Sequence, residues 1–571
     1  MSQRAGRRAQ PGAADGPWMF AAALLGLFML AALLWWGAAL LDPGIRTAIS
    51  YSDPVNLLTD QFTGRVAVTG RQVAVFAIGM AVILAVAVLL LIAGLGAQKG
   101  RTRVDSLAKA MSRSKDFTEL TVKAQERDAE RLHATAAGPG VPLADLVNNG
   151  MELRASWEWV QTWIMGPRAG KTSCVCVPQV IEPDAPVLAT SNKRDLVDLT
   201  RGPRAEKGVV WVQDPQDIIG EPPSWWWNPL SFVEDMETAE KLADVFISSA
   251  TSAGAKQDAY FESDGKRLLS LMLMAAAVDD RPITDVFRWS LNPDDETPVN
   301  ALYRHGHHQL ADALEKIQQL TPKQRDGVYG TMRPWISVLG NDRVIPWIRD
   351  TGELGRPEFN HRTFAETTDT LYLISREGGG SARALTAALA MAVLTASEKA
   401  AGRKRSGRLS PPLMAVLDEA ANVVRWRELP DLYSHYGSRG IVVSTFFQSF
   451  IQCVEAFGRE GARKLWSAAN IRVAGSGLSE DDFLPFLSQL VGPRDVVKRT
   501  SSTARGGRQV STSVQRESIM EVADLSALPR GRALLFSSGN PPGLLKLRHY
   551  SQKDYADDVR ESEAFYAPQQ S

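Results

Sequence analysis

The chain has 571 residues, too many for one ordinary core, so two or three domains are expected; 44% hydrophobic and 22% charged is the composition of a folded protein. Lys+Arg and Asp+Glu are both 64, so net charge gives no warrant for nucleic-acid binding, and any such role must rest on local features. Three cysteines, Cys174, Cys176 and Cys453, make no disulfide framework and suit a reducing compartment.

The first elements are two apolar stretches, Trp18 to Leu41 and Val73 to Ala97, each free of charged residues. Each exceeds the roughly 20 residues a helix needs to cross the hydrocarbon core, and a signal peptide's apolar part is only about 7–15 residues long. Residues 1–100 therefore read as a membrane anchor, a transmembrane hairpin. Arg4, Arg7 and Arg8 precede the first stretch, and Lys99, Arg101, Arg103 and Lys109 follow the second. By the positive-inside rule the N-terminus and everything after about residue 100 lie in the cytoplasm, with only the loop between Asp42 and Gln72 outside. Residues 101–150 are polar and Ala-rich with a Gly138-Pro139-Gly140 break, and read as a juxtamembrane linker.

Beyond the linker, short β-rich apolar runs recur at Glu158–Met165, Pro186–Ser191, Gly208–Gln213, Thr370–Ile374, Leu413–Leu417, Ile441–Phe446 and Ile471–Ala474. Helix-period segments separate several of them, which predicts an α/β domain with a mostly parallel, doubly covered sheet. Residues 233–360 show helical period and no convincing strand, so they read as an all-α domain inserted between a first part, 151–232, and a second, 361–554. The polar tail, 555–571, is expected to fray.

The first strand of the domain runs into Gly166-Pro167-Arg168-Ala169-Gly170-Lys171-Thr172-Ser173. Glycines let backbone N–H groups curl around phosphates, Lys171 reaches the β/γ-phosphates of ATP, and the Thr172 hydroxyl suits Mg²⁺. The strict G-x-x-x-x-G-K-[ST] form fails, because Met165 stands where the first glycine belongs. A second signature compensates: the apolar run Leu413–Leu417 ends in Asp418-Glu419, which places Asp418 beside the Mg²⁺ shell and Glu419 as general base for water. Gln448, after the Ile441 run, is a candidate γ-phosphate sensor. Arg439 opens that run at its other end, away from its own nucleotide. It is either an arginine finger for a neighbour or a surface residue closing a turn.

The order of these pieces resembles the type IV coupling proteins, the TraD/TraG-like conjugative ATPases, actinobacterial forms above all. Thr190-Ser191-Asn192-Lys193-Arg194-Asp195 is similar to that group's T-x-K-x-D segment and Asn228-Pro229-Leu230 to its N-P-L turn. Leu417-Asp418-Glu419-Ala420-Ala421-Asn422 and Gly437-Ser438-Arg439-Gly440, with Gln448-Ser449, complete the match over about 140–550. The resemblance implies a RecA-like P-loop fold with an all-α domain, a ring of six subunits, and ATP-driven delivery of single-stranded DNA, or a relaxase–DNA complex, to a type IV secretion channel.

Weaker signals have plainer accounts. His305, His307 and His308 lack a nearby carboxylate or cysteine in sequence and read as a polar turn. Cys174 and Cys176, two apart on a helix, face away from each other and read as buried hydrophobes rather than a metal pair. Trp225-Trp226-Trp227 reads as a domain-junction anchor before a base-stacking platform. The acid-free stretch from Lys498 to Arg516 reads equally as a DNA-tracking strip or an exposed hairpin. A septal double-stranded-DNA translocase would need a C-terminal winged helix, a protein exporter tandem ATPase modules, and a non-hydrolysing receptor no intact Lys171 or Glu419.

Overall fold

The computed structural model describes residues 16–46, 54–98, 102–250, 259–353, 355–376, 382–424, 426–504 and 507–568, in two compact units, Met1–Arg101 and Thr102–Ser571. In the first unit the helices Gly16–Leu40 and Gly70–Gln98 run 25 and 29 residues. They are rich in Ala, Leu and Met, strong helix formers, and contain no proline beyond the first turn. Phe28, Ile78 and Leu84 stand more than 60% exposed, the reverse of a helix in a water-soluble core. Polar contacts gather near one end: Trp35 Nε1 donates to Gln61 Oε1 at 2.8 Å, and Gln61 Nε2 to Gln72 Oε1 at 2.7 Å. Part of the loop expected outside, residues 47–53, lies outside the described residues.

The second unit is built on one eleven-stranded sheet. Its strands are β1 (Val141–Leu146), β2 (Glu152–Ala155), β3 (Gln161–Ile164), β4 (Val187–Ser191), β5 (Val210–Gln213), β6 (Thr370–Ile374), β7 (Leu413–Leu417), β8 (Ile441–Phe447) and β9 (Ile471–Gly475). A separate hairpin, β10 (Pro493–Ala504) with β11 (Gly507–Ser518), intervenes before β12 (Arg532–Ser537) and β13 (Gly543–Lys546). The order is β2-β1-β13-β12-β9-β3-β8-β7-β4-β6-β5. From β9 to β5 every pairing is parallel, and from β2 to β9 every pairing is antiparallel.

Both faces are covered, as the unbroken apolar runs require. Along β7, Leu413, Ala415 and Leu417 join one core while Met414 and Val416 join the other, the two-residue period of a strand buried on both sides. The helices Arg383–Arg403, Leu429–Ser438 and Phe450–Ala468 contribute to the first core, and Val177–Ile181, Asp195–Ala205 and Ala556–Tyr566 to the second. Arg383–Arg403 is long and apolar enough to cross a membrane, but most of it is buried in this unit, so it is a core helix. Between β5 and β6 the described residues form helices and no named strand, and their apolar faces extend the first core. Trp225 (2% exposed) and Trp227 (0%) are buried at the root of this segment, Trp225 against Trp211, Trp347 and Phe359, so they anchor a junction and cannot stack on bases.

Two expectations are corrected. Residues 101–150 are not a linker: β1 is fully buried and pairs with both β2 and β13, and buried Asp145 accepts from Arg548 Nε and Nη2 at 3.0 and 2.7 Å. The described part of the tail, to residue 568, forms the helix Ala556–Tyr566, held by buried Val559 and by Ser562 Oγ, which donates to Asp198 O at 2.6 Å.

Candidate nucleotide site

Because β3, β8 and β7 are neighbours and parallel, their carboxyl ends open on one edge, where α/β sheets bind ligands. β3 delivers the loop Gly166–Ser173, β7 delivers Asp418 and Glu419, and β8 delivers Gln448.

The irregular glycine has a packing reason. Met165 is fully buried, donates its N–H to Phe447 O at 2.9 Å, and lies where a Cβ on Gly475 would come within 2.5 Å of its side chain. The loop therefore begins one residue later. Gly166 N donates to Ser476 O at 2.9 Å, and a Cβ there would meet Gly477 O at 2.3 Å, so only glycine fits. The turn is completed by Arg168 at φ 57° and Gly170 at φ 95°, the left-handed region that glycine occupies without strain. Pro167 and Arg168 are exposed and Ala169 is buried, while Ser173 stands half-buried beside Cys174. Cys176 is buried and Cys174 half-buried; among the described residues no cluster of three or more His, Cys, Asp or Glu could hold a metal.

Lys171 Nζ, 8% exposed, donates to Glu419 Oε1 at 2.6 Å and lies 4.0 Å from Asp418 Oδ1. Thr172 Oγ1 donates to Asp418 Oδ2 at 3.2 Å, and Gln448 Nε2 to Glu419 Oε1 at 2.9 Å. Glu419 holds φ 54°, a left-handed conformation that costs a non-glycine residue about 1–3 kcal/mol and swings its carboxylate toward the loop. Two oxygens remain buried without a hydrogen bond, Asp418 Oδ1 and Glu419 Oε2. Burial pushes the Asp418 carboxyl up to about 6, Lys171 pulls it down less, and Glu419 and Asp195 add repulsion. This donor set fits Mg²⁺, a hard cation that takes few protein oxygens and keeps the rest for phosphate and water.

Most predicted site residues thus meet, but Arg439 does not. It precedes β8 at the opposite edge, half-buried, with Nη1 donating to Gly407 O at 3.1 Å and Nε 3.5 Å from His435 Nε2. Sequence reasoning named Thr190 only within a family-like segment, without its role, and missed the Gly475–Gly477 turn. Thr190 Oγ1 donates to Asp418 O at 2.8 Å, and the Gly475-Ser476-Gly477 turn seats the phosphate loop. A glycine pair directly after a predicted strand was the available signal for the second.

Elsewhere, Arg304 and His305 both reach Asp279, which makes the histidine cluster part of an ion-paired turn. Lys498 pairs with Glu517 at 2.6 Å on the β10–β11 hairpin; Arg505 and the side chains of Arg499 and Arg508 lie outside the described residues.

Residues 412–530 match the family model described as the TraM recognition site of TraD and TraG. The conjugal transfer protein TraG of Rhizobium radiobacter is 24% identical over 142 residues, and that of Agrobacterium fabrum 23%; the match spans 24% of this chain and 22% of each relative. Among solved structures, the bacterial conjugative coupling protein TrwBdeltaN70 aligns at TM-score 0.52 and 15% identity, covering 73% of this chain and 91% of that one. TrwB in complex with the ATP analogue ADPNP aligns at 0.50 and 16%, covering 68% and 85%. The fold is that of these proteins, a RecA-like domain with an all-α insertion, and the resemblance to type IV coupling proteins holds.

Proposed function

We propose that this chain is a membrane-anchored ATPase that couples hydrolysis to the movement of conjugative DNA, single-stranded or relaxase-bound, into a type IV secretion channel. The observation that carries the reading is the convergence of Lys171, Thr172, Asp418, Glu419 and Gln448 on three adjacent strand ends. The similarity to TraD and TraG supplies the transfer role.

The loop Gly166–Ser173, through the N–H groups that follow Pro167 and through Lys171, would hold the phosphates of ATP, and Thr172 with Asp418 would hold Mg²⁺. Bound Mg²⁺ neutralises charge that develops on the phosphates. Glu419 takes the proton from the attacking water, and Gln448, already bonded to it, holds that carboxylate in place. Lys171 donates to Glu419 at 2.6 Å, so this carboxylate and the phosphates compete for the same ammonium group. Arg439 acts in trans, on a neighbour's nucleotide, in a homo-hexameric ring. The two long helices of residues 1–100 anchor the chain in the cell membrane as a multi-pass hairpin, with the N-terminus and the ATPase unit cytoplasmic; their exposed apolar residues suit lipid.

A mating assay with Lys171→Ala beside wild type, at matched expression, tests the reading. DNA transfer is expected to fall to background. Transfer at the wild-type level rejects the motor role.

A further inference from the structure

Thr190 carries a hydroxyl where the fold alone asks for none. Every residue of β4, Val187-Leu188-Ala189-Thr190-Ser191, is buried, and Thr190 has no exposed surface. Valine has the same branched shape and suits such a strand equally well. A buried hydroxyl costs free energy unless it is hydrogen-bonded. Among the described residues this one has a single partner, the carbonyl oxygen of Asp418, to which Oγ1 donates at 2.8 Å.

That oxygen lies where the chain leaves the sheet. β7 pairs with β4 and β8 as far as Leu417, whose neighbours are Thr190 and Thr445. Asp418 is the next residue, so its carbonyl stands beyond the ladder, and among the described residues only Thr190 donates to it. The peptide that follows leads into Glu419, whose φ of 54° and ψ of 45° are left-handed. Because the peptide is planar, fixing the Asp418 carbonyl fixes the plane from which Glu419 departs. A left-handed glutamate persists only where its surroundings impose that conformation. Here both flanking peptides are pinned. On the carboxyl side Glu419 O accepts from Asn422 N at 2.8 Å and Val423 N at 3.1 Å, and on the amino side stands the Thr190 bond. The Asp418 carboxylate is tethered separately, by Thr172 Oγ1 at 3.2 Å.

We propose that Thr190 is a positioning residue for hydrolysis, whose hydroxyl holds the Asp418–Glu419 peptide in the orientation that presents Glu419 to the attacking water. With no exposed surface it reaches neither nucleotide nor cation, and it acts through Glu419. This rests on the reading of Glu419 as the base.

Thr190→Val, Thr190→Ala and Thr190→Ser are made in the full-length protein, each alone and together with Glu419→Gln. Melting, binding of a non-hydrolysable ATP analogue with Mg²⁺, and steady-state turnover are compared with wild type. Thr190→Val is expected to keep its affinity for the analogue while kcat falls by about 10- to 10²-fold, the effect of a small displacement of a catalytic group. Thr190→Ala removes the same hydroxyl from a smaller side chain and is expected to lose kcat alike, which covers a failure of the valine variant to fold. Thr190→Ser keeps the hydroxyl and is expected to recover most of the loss. In the Glu419→Gln background the valine variant should cost nothing further, because two residues that act as one unit are not additive. Wild-type kcat without the hydroxyl, an equal loss in Thr190→Ser, affinity falling in proportion to kcat, or additive losses in the double variant each overturn the proposal. Wild-type turnover by Glu419→Gln removes the base reading, whereas wild-type turnover by Thr190→Val removes only the positioning role.

Discussion

At the amino ends of the parallel strands, Arg204 has no exposed surface and directs four hydrogen bonds at fixed partners: Thr370 Oγ1, Pro183 O, Ala185 O and Thr368 O, at 2.6 to 2.9 Å. At the carboxyl ends, Asp418 and Glu419 are nearly as buried, 3% and 5% exposed, yet each keeps one oxygen without a hydrogen bond. A buried polar group left unmatched costs about 1–3 kcal/mol. The first arrangement is complete as it stands and serves the fold. The second tolerates a cost that a cation and its bound waters would relieve, which is how a candidate binding edge differs from a structural one.

The sharpest break of that contrast is at Lys171. Lys171→Ala is expected to abolish ATP turnover, because the phosphates lose their positive partner. Glu419→Gln is expected to bind ATP at least as tightly as wild type, since the lysine is released, and to hydrolyse it poorly. Wild-type turnover by Glu419→Gln in a phosphate-release assay rejects Glu419 as the base.

Next in size is Arg439, which lies at the structural edge but is assigned a catalytic role in trans. Its Ala variant is expected to keep ATP affinity and lose about 10³-fold or more in kcat. Mixed oligomers of Arg439→Ala and Lys171→Ala then regain partial activity that neither shows alone, because a Lys171→Ala neighbour lends its Arg439 to the intact phosphate loop of an Arg439→Ala subunit. If mixed oligomers form and stay inactive, Arg439 does no more than bond Gly407 and close its turn.

At the structural edge proper, Arg204→Ala removes the side-chain donor from Ala185 O and Thr368 O and leaves Pro183 O with only the long contact from Lys207 Nζ at 3.4 Å. A loss on the order of 3 kcal/mol is expected, read as a lower denaturant midpoint of the full chain. Nucleotide affinity of the folded fraction should not change. A parallel loss of affinity would show that the two edges are coupled.

What the sequence made legible follows the same division. All seven expected strands are the parallel ones, β3 to β9, and two of them, Thr370–Ile374 and Leu413–Leu417, have the expected bounds. Most strands buried on both faces are unbroken apolar runs, which sequence reveals directly, although β12, equally buried, was overlooked. The antiparallel strands escaped. β1 contains Pro142 and Asp145, β2 is four residues with Glu152 and Arg154, and β13 is four residues ending in Lys546. Their polar residues are satisfied across strands, as Asp145 is by Arg548, and no local pattern records a partner 403 positions away. In the candidate site, Lys171, Thr172, Asp418 and Glu419 were legible because binding phosphate and a cation dictates residue type, whereas Thr190 entered only through a family-like segment and the Gly475–Gly477 turn acts through backbone contacts.

The smallest expected effect concerns Asp418 without ligand. Its ordinary value is 3.8, and burial, helped by Glu419 and Asp195, raises it to about 6 in the folded protein. A carboxyl whose folded value lies above its unfolded one contributes stability that is complete below about pH 4 and is lost as pH rises through about 6. Above that pH the nucleotide-free protein carries a charged, poorly satisfied Asp418 at a cost. Asp418→Asn removes the charge and keeps the shape, so it is expected to melt a few degrees higher than wild type at pH 7.5, and not at pH 4. Mg²⁺ with a non-hydrolysable ATP analogue should reverse the order at pH 7.5, because only wild type presents a carboxylate to the cation. Equal melting of the two proteins at both pH values without ligand would mean that Lys171 already neutralises Asp418, and the carboxyl edge would then be as complete as the amino one.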